Sequence, residues 1–106
     1  MARVIEINFN DKTYLIEYNR RAVLNFMASQ TNESDDFASA VKLIKSGLLK
    51  HHEKEMPSDD EIFGWVILMG DDAKAFVSAL KDSVQEVIEV IKAEKEKSGF
   101  KWGVRN

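Results

Sequence analysis

The chain of 106 residues contains no cysteine, and this absence excludes several classes of protein at once. Without thiols there are no disulfide bonds, no thiolate metal sites and no cysteine nucleophile. The absence also fits a reducing compartment, where disulfides rarely persist. A chain of this length forms one core without such staples, so we expect a single domain over residues 1–106.

The chain also lacks an excess of basic residues and any long apolar run. Its 15 lysines and arginines are interleaved with 18 acidic residues, for a net charge of −3. Domains that bind duplex nucleic acid present a clustered basic face, so we expect no nucleic-acid partner. No apolar stretch approaches the roughly 20 residues that span a bilayer, and the first residues lack a signal-peptide core. We therefore expect no membrane association and a cytosolic location.

Two short runs at the start of the chain alternate between apolar and polar residues. The runs are 3–9, "RVIEINF", and 13–18, "TYLIEY". The segment "NDK" between them is a polar turn whose residues tolerate left-handed conformations. This pattern predicts a β-hairpin over 3–18, which must pack on other elements because an isolated hairpin is marginal in water.

Four helices are predicted after the hairpin, because apolar residues recur there at intervals of three and four. Their predicted ranges are 20–29, 35–50, 59–69 and 72–97, and an aromatic segment follows over 98–106. Ser34 or Asp35 is the expected N-cap of the second helix, and Gly47 is expected to loosen its last turn. Ser58 and Glu61 form a capping box before the third. The predicted fold class is therefore α+β, mostly helical, with the hairpin beside a helical assembly.

Both histidines lie side by side ahead of several acids, in "LLKHHEKEMPSDDE", which raises the question of a metal or acid–base site. Neighbouring helical residues point about 100° apart, so His51 and His52 cannot chelate one ion as an i, i+4 pair can. Cations also suit the C-terminal end of a helix. The carboxylates of "SDDE" and "GDDAK" lie at predicted helix starts, where capping explains them. We therefore expect no metal, no cofactor and no enzymatic activity; a metal-dependent enzyme is the alternative.

Large apolar side chains mark a candidate protein interface. The predicted third helix is apolar all round, so either the other helices wrap it or one side meets a partner. The segment after the last helix carries two aromatic residues, which indicates that it is tied down, as a third strand on the hairpin or on another subunit. The candidate interface residues are Ile62, Phe63, Trp65, Val66, Met69, Phe100 and Trp102.

Three short motifs, taken in order, resemble a family of small phage and prophage proteins from Gram-positive bacteria, which look like siphophage tail assembly chaperones. "K-T-Y" leads into "L-I-E-Y-N-R", "L-L-K-H-H" ends a helix, and "K-W" closes the chain. The matching residues are Lys12, Tyr14, Leu15, Glu17, Tyr18, Asn19, Arg20, Leu48, Leu49, Lys50, His51, His52, Lys101 and Trp102. The resemblance runs nearly end to end. It departs at "SQTNESDD", where a glycine-led turn is expected, and in the more apolar third helix.

The resemblance implies binding without chemistry. Such chaperones are thought to coat the long helical tape measure protein, because a bare amphipathic helix aggregates, until tail-tube subunits polymerise around it. The expected partners are the tape measure protein, the major tail protein and further copies of the chain, in the host bacterial cytoplasm. The alternative is a structural head–tail joining or minor virion component, which stays in the mature particle.

Overall fold

The computed structural model describes residues 3–29 and 36–105, and it shows the predicted α+β class: a hairpin followed by helices. The elements are β1 (Val4–Phe9), β2 (Lys12–Glu17), α1 (Arg20–Ser29), α2 (Asp36–His52), α3 (Asp59–Met69) and α4 (Ala73–Ser98). Single turns of 3-10 helix precede α3 and α4, at Glu53–Glu55 and Gly70–Asp72. The N-cap predicted at Ser34 or Asp35 lies outside the described residues.

A two-residue turn closes the hairpin. Asn10 and Asp11 have φ angles of 50° and 61°, the left-handed values that type I′ hairpin turns require. The antiparallel register places Ile7 opposite Tyr14 and Ile5 opposite Ile16. Because opposite residues point to the same side of a sheet, these apolar side chains form one face that packs on the helices.

Side-chain caps and glycines set several helix ends. The Asn19 side-chain oxygen accepts a hydrogen bond of 2.8 Å from the Ala22 N–H and begins α1. Ser58 does the same for the Glu61 N–H at 3.2 Å and begins α3, as the capping box predicts. Gly99, with φ of 68°, ends α4 in the left-handed conformation that glycine adopts without steric cost.

The core forms around α2, against which β2, α1, α3 and α4 all pack. Its largest fully buried apolar side chains are Ile16, Leu43, Ile44, Leu48, Ile62 and Leu80. β2 crosses α2 at Gly47, where an added Cβ would lie 2.4 Å from Ile16 Cγ2. The expectation that Gly47 loosens the last turn of the helix was therefore wrong. The helix continues to His52, and the glycine makes room for the hairpin.

The last helix, α4, is the longest of the described helices. Its 26 residues span about 39 Å, and the molecule measures 56 Å along its longest axis. Salt bridges join Arg3 to Glu86 and Arg20 to Glu94, so α4 runs beside the hairpin and then passes its base. The C-terminal end of α4 consequently projects beyond the hairpin.

Candidate functional site: an apolar interface groove

Three of the α3 residues predicted at a protein interface belong to the core. Ile62, Trp65 and Val66 are almost fully buried, and their spacing of three and four places them on one side of the helix. Met69, at the next position of this stripe, is half-buried. Ile62 therefore offers no surface to a partner, while Trp65, Val66 and Met69 offer only the small exposed parts that line apolar grooves.

The outward side of α3 carries apolar residues beyond those predicted at the interface. Ile67 is 58% exposed and Leu68 is 73% exposed, while the predicted residue Phe63 lies on this side and is also exposed. Scattered exposed apolar residues are ordinary, but a contiguous set marks an interaction surface. The available signal was the uninterrupted run "IFGWVILM", which has more apolar residues than one inward stripe can use.

An apolar groove opens beside this surface, and residues from all four helices line it. It encloses about 510 Å³. We call it the interface groove, with walls formed by Phe26, Phe37, Ala40, Leu43, Val66 and Val77. Lys74 and Lys81 stand at its α4 side, and neither forms a salt bridge with another described residue. The groove therefore combines an apolar interior with two positive charges on its α4 side, and Asp36 adds one carboxylate at the start of α2.

An exposed aromatic pair connects the interface groove to the outward side of α3. The rings of Phe37 and Phe63 lie 5.4 Å apart between centroids and are tilted by 50°. Phe37 lines the groove, and Ile67 follows Phe63 by one helical turn. The position of Phe37 in the apolar spacing of α2 is typical of a buried residue, yet half of its surface is exposed. Groove, aromatic pair and Ile67 thus form one continuous apolar surface.

The histidine pair joins β2 to the end of α2. The buried Glu17 carboxylate accepts a hydrogen bond of 2.5 Å from Lys50 Nζ, and His51 Nε2 lies 3.1 Å from its other oxygen. The Leu15 backbone N–H donates to His52 Nε2 at 2.9 Å. We call Glu17, Lys50, His51 and His52 the β2–α2 latch. The two histidines contact different partners, so the latch is a structural contact between motifs distant in the chain.

The pKa values in the latch shift for identifiable reasons. Hydrogen bonds from Lys50 and His51 hold the pKa of Glu17 below its ordinary value of 4.5. Burial lowers the pKa of His52 below its ordinary value of 6.5, and its role as acceptor for Leu15 requires the neutral ring.

No group of three or more side chains that could hold a metal ion occurs among the described residues. No helix in the described ranges is long and apolar enough to cross a bilayer.

Stability is expected to fall as the pH drops below about 6.5, because the unfolded chain then binds a proton at His52 that the folded chain resists. His52→Gln is expected to reduce this slope, since the amide oxygen accepts the Leu15 N–H without titrating. Urea unfolding midpoints at a series of pH values measure the effect.

Glu17→Gln is the matched control for this titration. Glu17 has a lowered pKa, so its stabilisation is present above about pH 4.5 and is lost in more acidic solution. Glu17→Gln is expected to remove the loss of stability below about pH 4.5 and to keep the loss that begins below about pH 6.5. An upper slope in His52→Gln as steep as that of the wild type would contradict the assignment to His52.

A second groove lies beside β1. It encloses about 390 Å³, and its apolar lining includes Ile7, Phe9, Trp65, Leu68 and Phe76. We call it the edge groove. The buried Trp65 indole N–H, which belongs to this lining residue, has no hydrogen-bond acceptor among the described residues. The edge groove thus adjoins a buried donor that lacks a partner within the described chain.

The segment after α4 lies on the surface. Residues 100–105, which we call the tail segment, form neither helix nor strand. Trp102 is 79% exposed and Val104 is 82% exposed, and the predicted interface residue Phe100 is exposed as well. Trp102, one of the two aromatic residues singled out in the sequence, therefore presents most of its surface to solvent.

Comparisons with known proteins find no relative: no family model, no curated protein and no solved structure matches this chain. The site is therefore interpreted from its own geometry. A continuous apolar surface with two lysines at one side can bind the apolar stripe of a helix whose flanks carry acids.

Proposed function

We propose that this chain is a tail assembly chaperone of a siphophage or prophage, which binds the tape measure protein and keeps it soluble during tail assembly. The observation that carries the proposal is the continuous apolar surface of the interface groove, the Phe37–Phe63 pair and Ile67. The motif resemblance supplies the identity of the partner. The chain acts in the host cytoplasm by binding alone, without catalysis.

The dimensions of the groove suit side chains of a helix. A helix with its side chains is about 10–12 Å wide, so a groove of about 510 Å³ receives the residues of one apolar stripe while the helix itself lies across the mouth. The Phe37–Phe63 pair extends the contact along the partner. Lys74 and Lys81 then face acidic residues beside the stripe, which favours one orientation of the partner helix.

Each copy binds weakly, and many copies act together. A single groove of this size takes only a few anchoring side chains, which suits a complex that tail-tube subunits must displace. Copies that associate with one another along the tape measure protein raise the overall affinity through effective concentration. Displacement by the major tail protein then removes the copies in turn.

Phe63→Asp is expected to reduce the solubility that the chain confers on a co-expressed tape measure protein, and to weaken binding about tenfold or more, because a charge enters the apolar contact. Val90→Asp is the matched control, since Val90 is an exposed α4 residue outside the interface groove. The soluble fraction of the tape measure protein and its affinity for the purified chain measure the result. Equal effects of both substitutions would contradict the groove as the binding surface.

Mass spectrometry of purified mature particles separates this function from a structural one. A chaperone leaves before the particle is complete, so the chain is expected to be absent from it. Stoichiometric amounts in the particle would identify a head–tail joining or minor virion component instead.

A further inference from the structure

The tail segment has the residue pattern of a β-strand with one apolar face. Phe100, Trp102 and Val104 alternate with Lys101, Gly103 and Arg105. Side chains two apart in a strand point to the same side, so pairing would place the three apolar residues together and both cations opposite them. The segment forms no strand in the structure and leaves Trp102 and Val104 exposed. A pattern of this kind indicates a strand that pairs with another molecule.

The outer edge of β1 is the receiving surface. In the described part of the chain the sheet has two strands, so β1 pairs with β2 alone. The Leu15 N–H of β2 points away from β1, to His52. Leu15 is paired with Glu6, so these two residues form a non-hydrogen-bonded pair, and the backbone N–H and C=O groups of Glu6 point to the outer edge of β1. Such pairs recur at every second residue of an antiparallel ladder, so the backbone groups of Asn8 point the same way. His52 binds the outward Leu15 N–H of β2, whereas no outward hydrogen bond of Glu6 or Asn8 is found within residues 3–29 and 36–105.

The edge groove lies directly beside these backbone groups. Glu6 and Asn8 line it together with its apolar residues, and Asp72 adds a second carboxylate. The Trp65 indole N–H, which finds no acceptor among the described residues, lies in the same region. An added strand supplies carbonyl oxygens for the edge and apolar side chains for the groove. Both requirements of β-strand addition are therefore met at one place.

We propose that the tail segment of one copy of this chain adds as a third strand to the β1 edge of a second copy. Residues opposite each other in a sheet point to the same face. The apolar side chains of the tail segment would therefore enter the edge groove on the face that carries Ile7 and Phe9. Lys101 and Arg105 then lie on the face of Glu6. The charges are complementary there, since the Glu6 carboxylate shares that face with the two cations of the tail segment.

The position of α4 explains why the occupant comes from a second copy. The Arg3–Glu86 salt bridge places Glu86 at the start of β1, and α4 rises about 18 Å from there to Ser98. Trp102 follows Ser98 by only about 13 Å of extended chain. If the tail segment folded straight back along α4, Trp102 would still not reach the level of Arg3. Ile7 and Phe9, which line the edge groove, lie still farther along β1. The segment therefore reaches the edge groove of a neighbour and not its own.

This contact supplies the association between copies that the chaperone proposal needs. The geometry of the contact stands without that proposal, and only its biological role rests on the proposed function. The tail segment and the edge groove are different surfaces of the chain, so the contact is heterologous and repeats from copy to copy as a ring or an open spiral. The interface groove stays free to bind a partner helix.

Sedimentation of the purified full chain over a range of concentrations tests the proposal. The wild type is expected to self-associate, and Trp102→Glu is expected to weaken self-association about tenfold or more, because it places a charge in the edge groove. Circular dichroism should stay unchanged, since Trp102 is an exposed residue outside the core. A wild type that stays monomeric throughout, or a Trp102→Glu chain that associates like the wild type, would overturn the proposal.

Disulfide trapping locates the contact, and the absence of native cysteine makes it specific. Equimolar Gly103→Cys and Asn8→Cys chains are expected to form a crosslinked heterodimer, because both positions lie on the same face of the joined sheet. Asp60→Cys, at an exposed site on α3, is the control partner for Gly103→Cys. Equal crosslinking to both partners would overturn the assignment.

Partner binding separates this inference from the proposed function. Trp102→Glu is expected to bind the tape measure protein through the interface groove with the affinity per copy of the wild type. Loss of self-association with retained binding supports the strand contact. Self-association without any binding supports the contact and contradicts the chaperone function.

Discussion

Gly47→Ala is expected to destabilise the protein by about 2–3 kcal/mol, although alanine is the better helix former. The new Cβ would lie 2.4 Å from Ile16 Cγ2 and 2.8 Å from Tyr18 Cζ. Neither neighbour can move freely, because Ile16 is fully buried and the Tyr18 hydroxyl donates a hydrogen bond of 2.5 Å to the Leu43 carbonyl. The hairpin must therefore shift away from α2. Urea unfolding of the two chains measures the loss.

Gly64→Ala is the matched control for this prediction. Gly64 also lies inside a helix, but an added Cβ there meets nothing within 4 Å. This change is expected to stabilise the protein by up to about 1 kcal/mol, the gain in helix propensity from glycine to alanine. If Gly47→Ala also stabilised the chain, β2 would not approach α2 as closely as the structure describes.

Ile62→Ala is expected to cost about 3–4 kcal/mol of stability, because Ile62 is fully buried and its truncation leaves a cavity. Ile67→Ala, on the same helix, removes the same atoms from an exposed side chain. Its expected cost is about 0.5 kcal/mol or less. Chemical unfolding of both variants tests which side of α3 faces the core.

The same two variants are expected to rank in the opposite order for partner binding. Under the proposed function, Ile67→Ala weakens binding of the tape measure protein about threefold to tenfold, since Ile67 continues the apolar surface from Phe63. Ile62→Ala leaves binding by the folded fraction nearly unchanged. Equal losses of stability would contradict the two-sided description of α3, and unaffected binding in Ile67→Ala would remove it from the interface.

Local rules predicted most of the fold. Alternation identified both strands, and the Asn–Asp turn between them takes the left-handed angles expected of it. The capping box at Ser58 marks the start of α3. Each of these features depends on residues within a few positions of one another, so a single sequence contains the necessary information.

The candidate site was predicted less completely, since its geometry depends on distant contacts. The third helix was identified as a possible interface, but a run that is apolar all round has no period to show which side is inward. Three of the residues predicted at the interface, Ile62, Trp65 and Val66, therefore lie on the side of α3 that faces the core. Phe37 was missed because its periodic position is typical of a buried residue, and α4 and α3 leave it half exposed.

By itself, the sequence determined the α+β class, the hairpin and its turn, and most helix ends, because periodicity, caps and turn residues act over short distances. Only the tertiary structure decided that Gly47 is a crossing point, that the two histidines contact different residues of β2, and that α3 turns Phe63 and Ile67 outward. The histidine contacts join residues 37 and 34 positions apart. Which distant residues meet, and which side of α3 faces inward, depends on how the helices pack around α2.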